Sequence, residues 1–261
     1  MFRLSVSKTG TFESCKLKYK MSYILKLKPK DFTFFALGKM LHETLENFHK
    51  ALIEDPEMNQ SKMMAKFFKA AWITHGEELD LDGKCKLNDI DKKVCFDIID
   101  AYLKRLAQEE TPANIIGVEK QFAVDIDGLA TIVGMIDRIQ IDPDGMMHVI
   151  DYKSSKSTKY YEDKFFQLKV YAYIMMVEDP KLQTIRGSYM FLKHNFSLIT
   201  KEFHRDEIMK MGAEIVDWAE KMQAEKEFPA NISFMCKFCG FAPVCDSYQA
   251  TQIVKHGKAS W

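Results

Sequence analysis

The chain has 261 residues, 47% of them hydrophobic, and its 37 basic and 37 acidic side chains cancel to a formal net charge of zero. That is enough apolar material for one substantial core or two small ones. It excludes a protein whose overall field would by itself recruit an anionic polymer, so a nucleic-acid surface would have to come from local clustering. No run approaches the roughly 20 apolar residues of a bilayer span, and the opening MFRLSVSKTG lacks the apolar stretch of a secretory signal, so a cytoplasmic location without a membrane partner is expected. In that reducing setting the six cysteines read as thiols or metal ligands rather than as a disulfide framework.

In chain order, Leu41, Leu45, Phe48 and Leu52 recur at helical spacing and predict an amphipathic helix from near Gly38 to about Glu54. SKMMAKFFKAAWITHGEEL and DIDKKVCFDIIDAYLKRLAQEE repeat that periodicity, so residues 61–110 read as a helical excursion, ended by Thr111-Pro112. VEKQFAVDIDGLATIVGMIDRIQI switches to strand alternation, with turn signals at Asp127-Gly128 and in DPDG, and predicts a sheet of at least three strands. EDKFFQLKVYAYIMMVED returns to helix, with Phe166, Val170, Ile174 and Val177 on one face and Pro180 as its stop. RGSYMFLKHNFSLITKEF reads as a hairpin, and HRDEIMKMGAEIVDWAEKMQAEKEF as one final long helix before a cysteine-bearing tail that begins at Pro229. The expected organisation is a single α/β domain over 1–261, mostly helical over 38–112, with a sheet and helix over 113–202.

On the strands, Val133, Met135, Asp137, Ile139 and Ile141 share one face, as do Met147, Val149, Asp151 and Lys153. A connection from Asp142 to Met146 sets Asp137 opposite Asp151, with Cβ atoms roughly 5 Å apart. Two buried carboxylates that close repel unless a proton or a cation lies between them, and a divalent ion removes the conflict. On spacing alone, the same residues read equally well as solvated charges at strand ends. Gln167 and Tyr171, four apart on the next helix, flank its apolar stripe as polar groups presented to a site beside the sheet, and Glu119 in VEKQF adds a third carboxylate. His42, taken alone, reads as a surface or core histidine with Glu46 as an ordinary partner one turn later.

Together, GKMLHETL, VEKQF, GMIDRI, VIDYKSS and QLKVY, in this order and across nearly the whole chain, resemble the PD-(D/E)XK nucleases, specifically the RecB-like exonuclease branch. The resemblance implies a restriction-endonuclease-like core, a mixed central sheet flanked by helices, with a helical insertion. It implies His42, Asp137, Asp151 and the backbone carbonyl of Tyr152 as ligands of Mg2+ or Mn2+, Lys153 as catalytic, and Gln167 and Tyr171 as supports of the site and of the DNA strand. Glu119 matches an acidic position of the same branch and is counted with the catalytic set. The second acidic position is Asp151 rather than Glu, which shortens its reach by one methylene.

CKFCGFAPVC places Cys236, Cys239 and Cys245 within ten residues, and a Cys-x-x-Cys turn lets two thiolates grip one centre. The fourth ligand comes from the resemblance: iron-sulfur nucleases of the AddB and CRISPR-adaptation types use one cysteine before the core and three after it, which here points to Cys15. Four thiolates suit zinc as well as a [4Fe–4S] cluster; the resemblance favours the cluster, as a clasp joining residues 1–30 to 229–250. Cys85 and Cys95 read as ordinary thiols. CKLKYKMSYILKLKPK interleaves lysines with tyrosines; Lys16, Lys18, Tyr19 and Lys20, with Tyr171, are the expected DNA contacts, against the plain alternative of a solvated charged face.

The expectation is thus a metal-dependent DNA exonuclease acting on single strands or duplex ends in recombination, repair or end processing, with a helicase or a recombination or adaptation protein as partner. Two alternatives stand beside it: a non-catalytic DNA-binding or helicase-partner module of the same fold, and an endonuclease.

Overall fold

The computed structural model describes residues 1–30, 33–76, 87–109, 113–155 and 157–256. In chain order the elements are β1 (Phe2–Leu4), α1 (Val6–Ser14), α2 (Lys16–Tyr19), α3 (Thr33–Glu54), α4 (Gln60–Ala71), α5 (Asp89–Leu106), β2 (Asn114–Ile126), β3 (Ala130–Ile141), β4 (Met147–Lys153), α6 (Phe166–Glu178), β5 (Thr184–Phe191), β6 (Ser197–His204), α7 (Arg205–Ile208), α8 (Met211–Ala224) and α9 (Asp246–His256). They gather into two compact units: Met1–Phe32 with Asp125–Ile132 and Glu214–Trp261, and Thr33–Val124 with Val133–Ala213.

The second unit carries a mixed α/β fold whose sheet is flanked by helices. β3 pairs antiparallel with β4 (Arg138 with Ile150 through Ile141 with Met147), β4 parallel with β5, and β5 antiparallel with β6, while β2 pairs with β3. The parallel step from β4 to β5 is bridged by α6, as a crossover requires. Alternation sends Asp137, Asp151 and Lys153 to one face and Arg138, Gln140, His148, Ile150 and Tyr152 to the other. α6 covers the first face, with Leu168 in van der Waals range of the site a Gly187 Cβ would fill. Against the second face, Ile150, Tyr152, Met190 and Phe196 share a core with Leu41, Leu45 and Phe48 of α3, Phe68 of α4 and Tyr102 of α5. Full burial of a side chain such as Phe48 contributes about 1.5–3 kcal/mol.

The first unit packs Phe12, Tyr19 and Met222 against Phe2, Tyr23 and Phe228. Its terminal segments are tied by the Leu17 amide donating to Pro229 O at 3.3 Å and the Lys30 amide donating to Gly240 O at 2.9 Å. β1 lies parallel to Ala130–Ile132 of β3; three residues are too few to carry a periodic signal, so this strand was not legible in the sequence.

Two expected boundaries shift. The first amphipathic helix begins at Thr33, not near Gly38. The final long helix is broken at Met209-Lys210 into α7 and α8. The break follows from Arg205, whose Nη1 donates to the carbonyls of Met176, Asp179 and Leu182 and so pins α7 to the exposed carbonyl end of α6. The expected stop at Thr111-Pro112 and the thiol Cys85 lie outside the described residues.

Candidate metal centre

The site begins where the β3–β4 ladder stops. The last paired position is Arg138 with Ile150; at the next step the Asp137 side chain takes over, its Oδ2 accepting the Tyr152 amide at 2.8 Å. From α3, His42 Nδ1 approaches the same Asp137 oxygen at 3.6 Å. The helix can sit this close because Gly38, one turn earlier, has no Cβ: one placed there would lie 2.9 Å from Ser154 Oγ. β2 supplies Glu119 through a backbone irregularity. Its φ of 49° lies in the left-handed region, and strand burial loses its alternation around it. A non-glycine residue held there costs on the order of 1–3 kcal/mol, the kind of strain that persists where a side chain must be aimed.

His42, Glu119 and Asp137 each present one ligand atom, and these atoms lie within 4.8 Å of one another. Burial and neighbouring carboxylates outweigh the nearby lysines in their electrostatics. Burial, then the neighbouring Asp151 carboxylate, push Asp137 well above the usual carboxylate range. Burial and then Glu46 raise Glu119 to about 7. Burial also lowers His42, so its imidazole is neutral with a lone pair to offer.

Asp151 was expected in this ligand set, and the structure holds it differently. It is 3% exposed, and its Oδ1 accepts from Gln167 Nε2 at 2.6 Å and from the Tyr171 hydroxyl at 3.2 Å. Lys153 Nζ lies 2.5 Å from Oδ2 as an ion pair. Gln167 Oε1 holds the same ammonium at 2.8 Å, and the rings of Tyr161 and Tyr189 lie 5.4 and 5.1 Å from it. Burial opposes the charge on Lys153, but Asp151 outweighs it and the amine's affinity for its proton is raised. The tyrosine pair was missed in the sequence because its partners meet only through the crossover. Tyr171, expected on the DNA surface, is 4% exposed and its hydroxyl also accepts from Gln167 Nε2; it orients Asp151 and is closed to a nucleotide.

The expected DNA contacts in the first unit change in the same way. Tyr19 is 5% exposed, edge-on to Phe12 and stacked with Phe228, so base stacking by this ring is excluded. Its alternation with lysines marks an amphipathic helix whose aromatic side is core. Lys16 is ion-paired with Glu225, and Lys20 lies over the Phe228 ring. Lys18 lines a cavity of about 320 Å³, together with Cys15, Cys236, Cys239 and Cys245. The Asn231 amide donates to Cys15 Sγ at 3.5 Å and the Ser233 amide to Cys236 Sγ at 3.4 Å. Among the described residues no three of these sulfurs come within 4.8 Å of one another. Cys95 is a buried core thiol, which burial pushes up to about 12.

The sequence profile of the PD-(D/E)XK nuclease superfamily matches residues 3–246. The chain belongs to that superfamily. Among curated proteins, it is similar to the B-type subunit of the ATP-dependent helicase/deoxyribonuclease of Streptococcus agalactiae serotypes Ia, V and III, at 23% identity over 249 residues in each case. The match takes in 90% of this chain but only 22% of those relatives' length. Among solved structures, a candidate exonuclease from Eubacterium rectale superposes with a TM-score of 0.51 at 12% identity, covering 98% of this chain and 94% of that one. That likeness is one of fold, a mixed sheet flanked by helices. No helix among the described residues is long and apolar enough to cross a membrane.

Proposed function

We propose that the protein is a divalent-metal-dependent deoxyribonuclease that trims single strands or duplex ends, the exonuclease mode of its superfamily. The observation that carries this reading is the meeting of His42, Glu119 and Asp137 ligand atoms, all half-buried, beside a buried Asp151–Lys153 pair. The donor set fits a hard divalent ion. Burial and neighbouring carboxylates push Glu119 and Asp137 toward protonation, a conflict a divalent ion would relieve, and the imidazole is neutral. His42, Glu119 and Asp137 would hold Mg2+ or Mn2+, with Asp151 and the Tyr152 carbonyl as the further oxygens the resemblance names. When bound, the ion polarises the scissile phosphate and acidifies a coordinated water.

The chain's own groups do the rest. Gln167 fixes Lys153 and Asp151 relative to each other by bonding both. The Lys153 ammonium, kept charged by Asp151, is the group that neutralises charge developing on the phosphate. Tyr171 and Gln167 fix the Asp151 carboxylate from behind.

For the cysteine cavity, the proposal is a [4Fe–4S] cluster held by Cys15, Cys236, Cys239 and Cys245. What supports it is that the four cysteines line one cavity and that backbone amides donate to two of the sulfurs, the kind of hydrogen bond cluster sulfurs take. The likeness to a helicase/deoxyribonuclease subunit supports a helicase partner and a role in recombination, repair or end processing.

End-labelled single- and double-stranded oligonucleotides and covalently closed circles, incubated with Mg2+ or Mn2+, test the reading. The expected result is degradation from ends by wild type, greatly slowed in Asp137→Asn and Lys153→Ala, and intact circles. Equal degradation by all three proteins would reject a nuclease site here, leaving a non-catalytic module; cut circles would make it an endonuclease. Anaerobically purified protein with broad visible absorption supports the cluster, and a colourless zinc-loaded preparation rejects it.

A further inference from the structure

The face of the sheet opposite the acidic site carries a buried polar chain that the nuclease reading does not use. Arg138 Nη1 donates to the Tyr102 hydroxyl at 2.8 Å, and that hydroxyl is hydrogen-bonded to His49 Nε2 at 2.7 Å. Burial holds His49 well below its ordinary protonation range, so its ring is neutral. Arg138 also reaches the Tyr152 hydroxyl. The Tyr152 ring is gripped on two sides from α3: the His49 ring stacks on it at 6.3 Å and 19°, and the His42 ring meets it edge-on at 5.8 Å and 82°. Tyr102 and His49 are 1% and 0% exposed.

These residues lie in the core shared by Leu41, Phe48 and Phe196, where apolar side chains would fill the same volume without the cost of desolvating a guanidinium and three polar groups. What the polar chain adds is direction. It joins α3, α5 and β3 to one residue, Tyr152, whose amide holds Asp137 Oδ2 and whose carbonyl faces the His42 ring.

We infer that Tyr102 and His49, acting through Arg138, are positioning residues that fix the Tyr152 main chain and through it the spacing of Asp137 and His42 for a divalent ion. The inference rests on the metal-site reading above. Outer partners of metal ligands typically change affinity by about 10–100-fold when removed. A helix 35 residues upstream of Asp137 in the sequence thus sets the grip of the site.

Tyr102→Phe deletes the shared hydroxyl and keeps the ring. Mn2+ binding read from the free-ion EPR signal, alongside metal-free thermal unfolding and the Mn2+ dependence of turnover, tests the inference. The expected result is an Mn2+ Kd raised about 10–100-fold, with turnover largely regained at saturating Mn2+. A lower unfolding temperature with an unchanged Kd would mean a packing role only and overturns it. Should Tyr102→Phe not fold, His49→Gln, which alters the other end of the same bond, carries the same expectation. Asp137→Asn is the reference: if it binds Mn2+ as wild type does, the metal-site reading itself is wrong, and this inference falls with it.

Discussion

The two faces of the central sheet are both rich in buried polar groups, yet like charges crowd together on only one of them. On the face bearing Arg138 and Gln140, His148 sits between Asp142 at 2.9 Å and Ser188 at 2.7 Å, Ser188 bonds Thr200 at 2.7 Å, and Arg186 closes on Asp142 at 2.5 Å. Asp142, His148 and Ser188 stand in the order of a nucleophilic triad, but Ser188 is 0% exposed and no substrate can reach it. Asp142 is matched there by His148 and Arg186, and the buried Arg138 is held by tyrosine hydroxyls; the two buried atoms left over in this region, Arg138 Nε and Gln140 Oε1, are a donor and an acceptor rather than like charges. On the other face, three carboxyls and a neutral imidazole crowd together with one ammonium, and two of the carboxyls are pushed toward protonation. Buried polarity that closes on itself is structure; buried like charge that does not is a place for an ion.

The largest expected effect separates the faces directly. Lys153→Ala should cost on the order of 10²–10³-fold in turnover on end-labelled DNA, the usual loss when one group aimed at developing charge is removed. Gln167→Leu, which unfixes both Lys153 and Asp151, should cost less, about 10–100-fold, and mostly in turnover rather than in DNA affinity measured by anisotropy.

A third prediction follows from the crowded carboxyls. Because Glu119 and Asp137 are raised without a cation, binding Mn2+ must expel protons. The apparent affinity should fall about tenfold per pH unit for each proton displaced as pH drops below about 7, where Glu119 takes up its proton. Calorimetry in two buffers of different ionisation heat reads that release; equal heats would contradict it.

The smallest effect on activity is expected from the matched face. Ser188→Ala should leave nuclease turnover within a factor of two and cost about 1–3 kcal/mol in denaturant unfolding, because His148 and Thr200 lose a buried partner. A large loss of turnover with unchanged stability would break the comparison.

Much of the site was legible in the chain itself. The alternation around Asp137, Asp151 and Lys153 placed them on one face, and a two-residue period leaves little freedom once the Asp142–Met146 connection is set. Gln167 and Tyr171 were legible for the same reason on the next helix. The roles of the lysines and tyrosines were not: Tyr19 alternates with lysines and Tyr171 lies one turn after Gln167, but which side of each helix is covered depends on Phe228 in one case and on the sheet in the other.

Local periodicity by itself determined the main amphipathic helices and which strand residues share a face, because backbone geometry maps spacing onto a face within each element; the ligand candidates came from the order of five motifs along the chain. Only the tertiary structure decided that Glu119 joins His42 and Asp137 while Asp151 pairs with Lys153, and that Tyr102 bonds His49 behind them. Those choices depend on which charges and hydroxyls the packed elements bring within a few ångströms, and at that range the cost of leaving a buried charge unmatched outweighs any preference written along the chain.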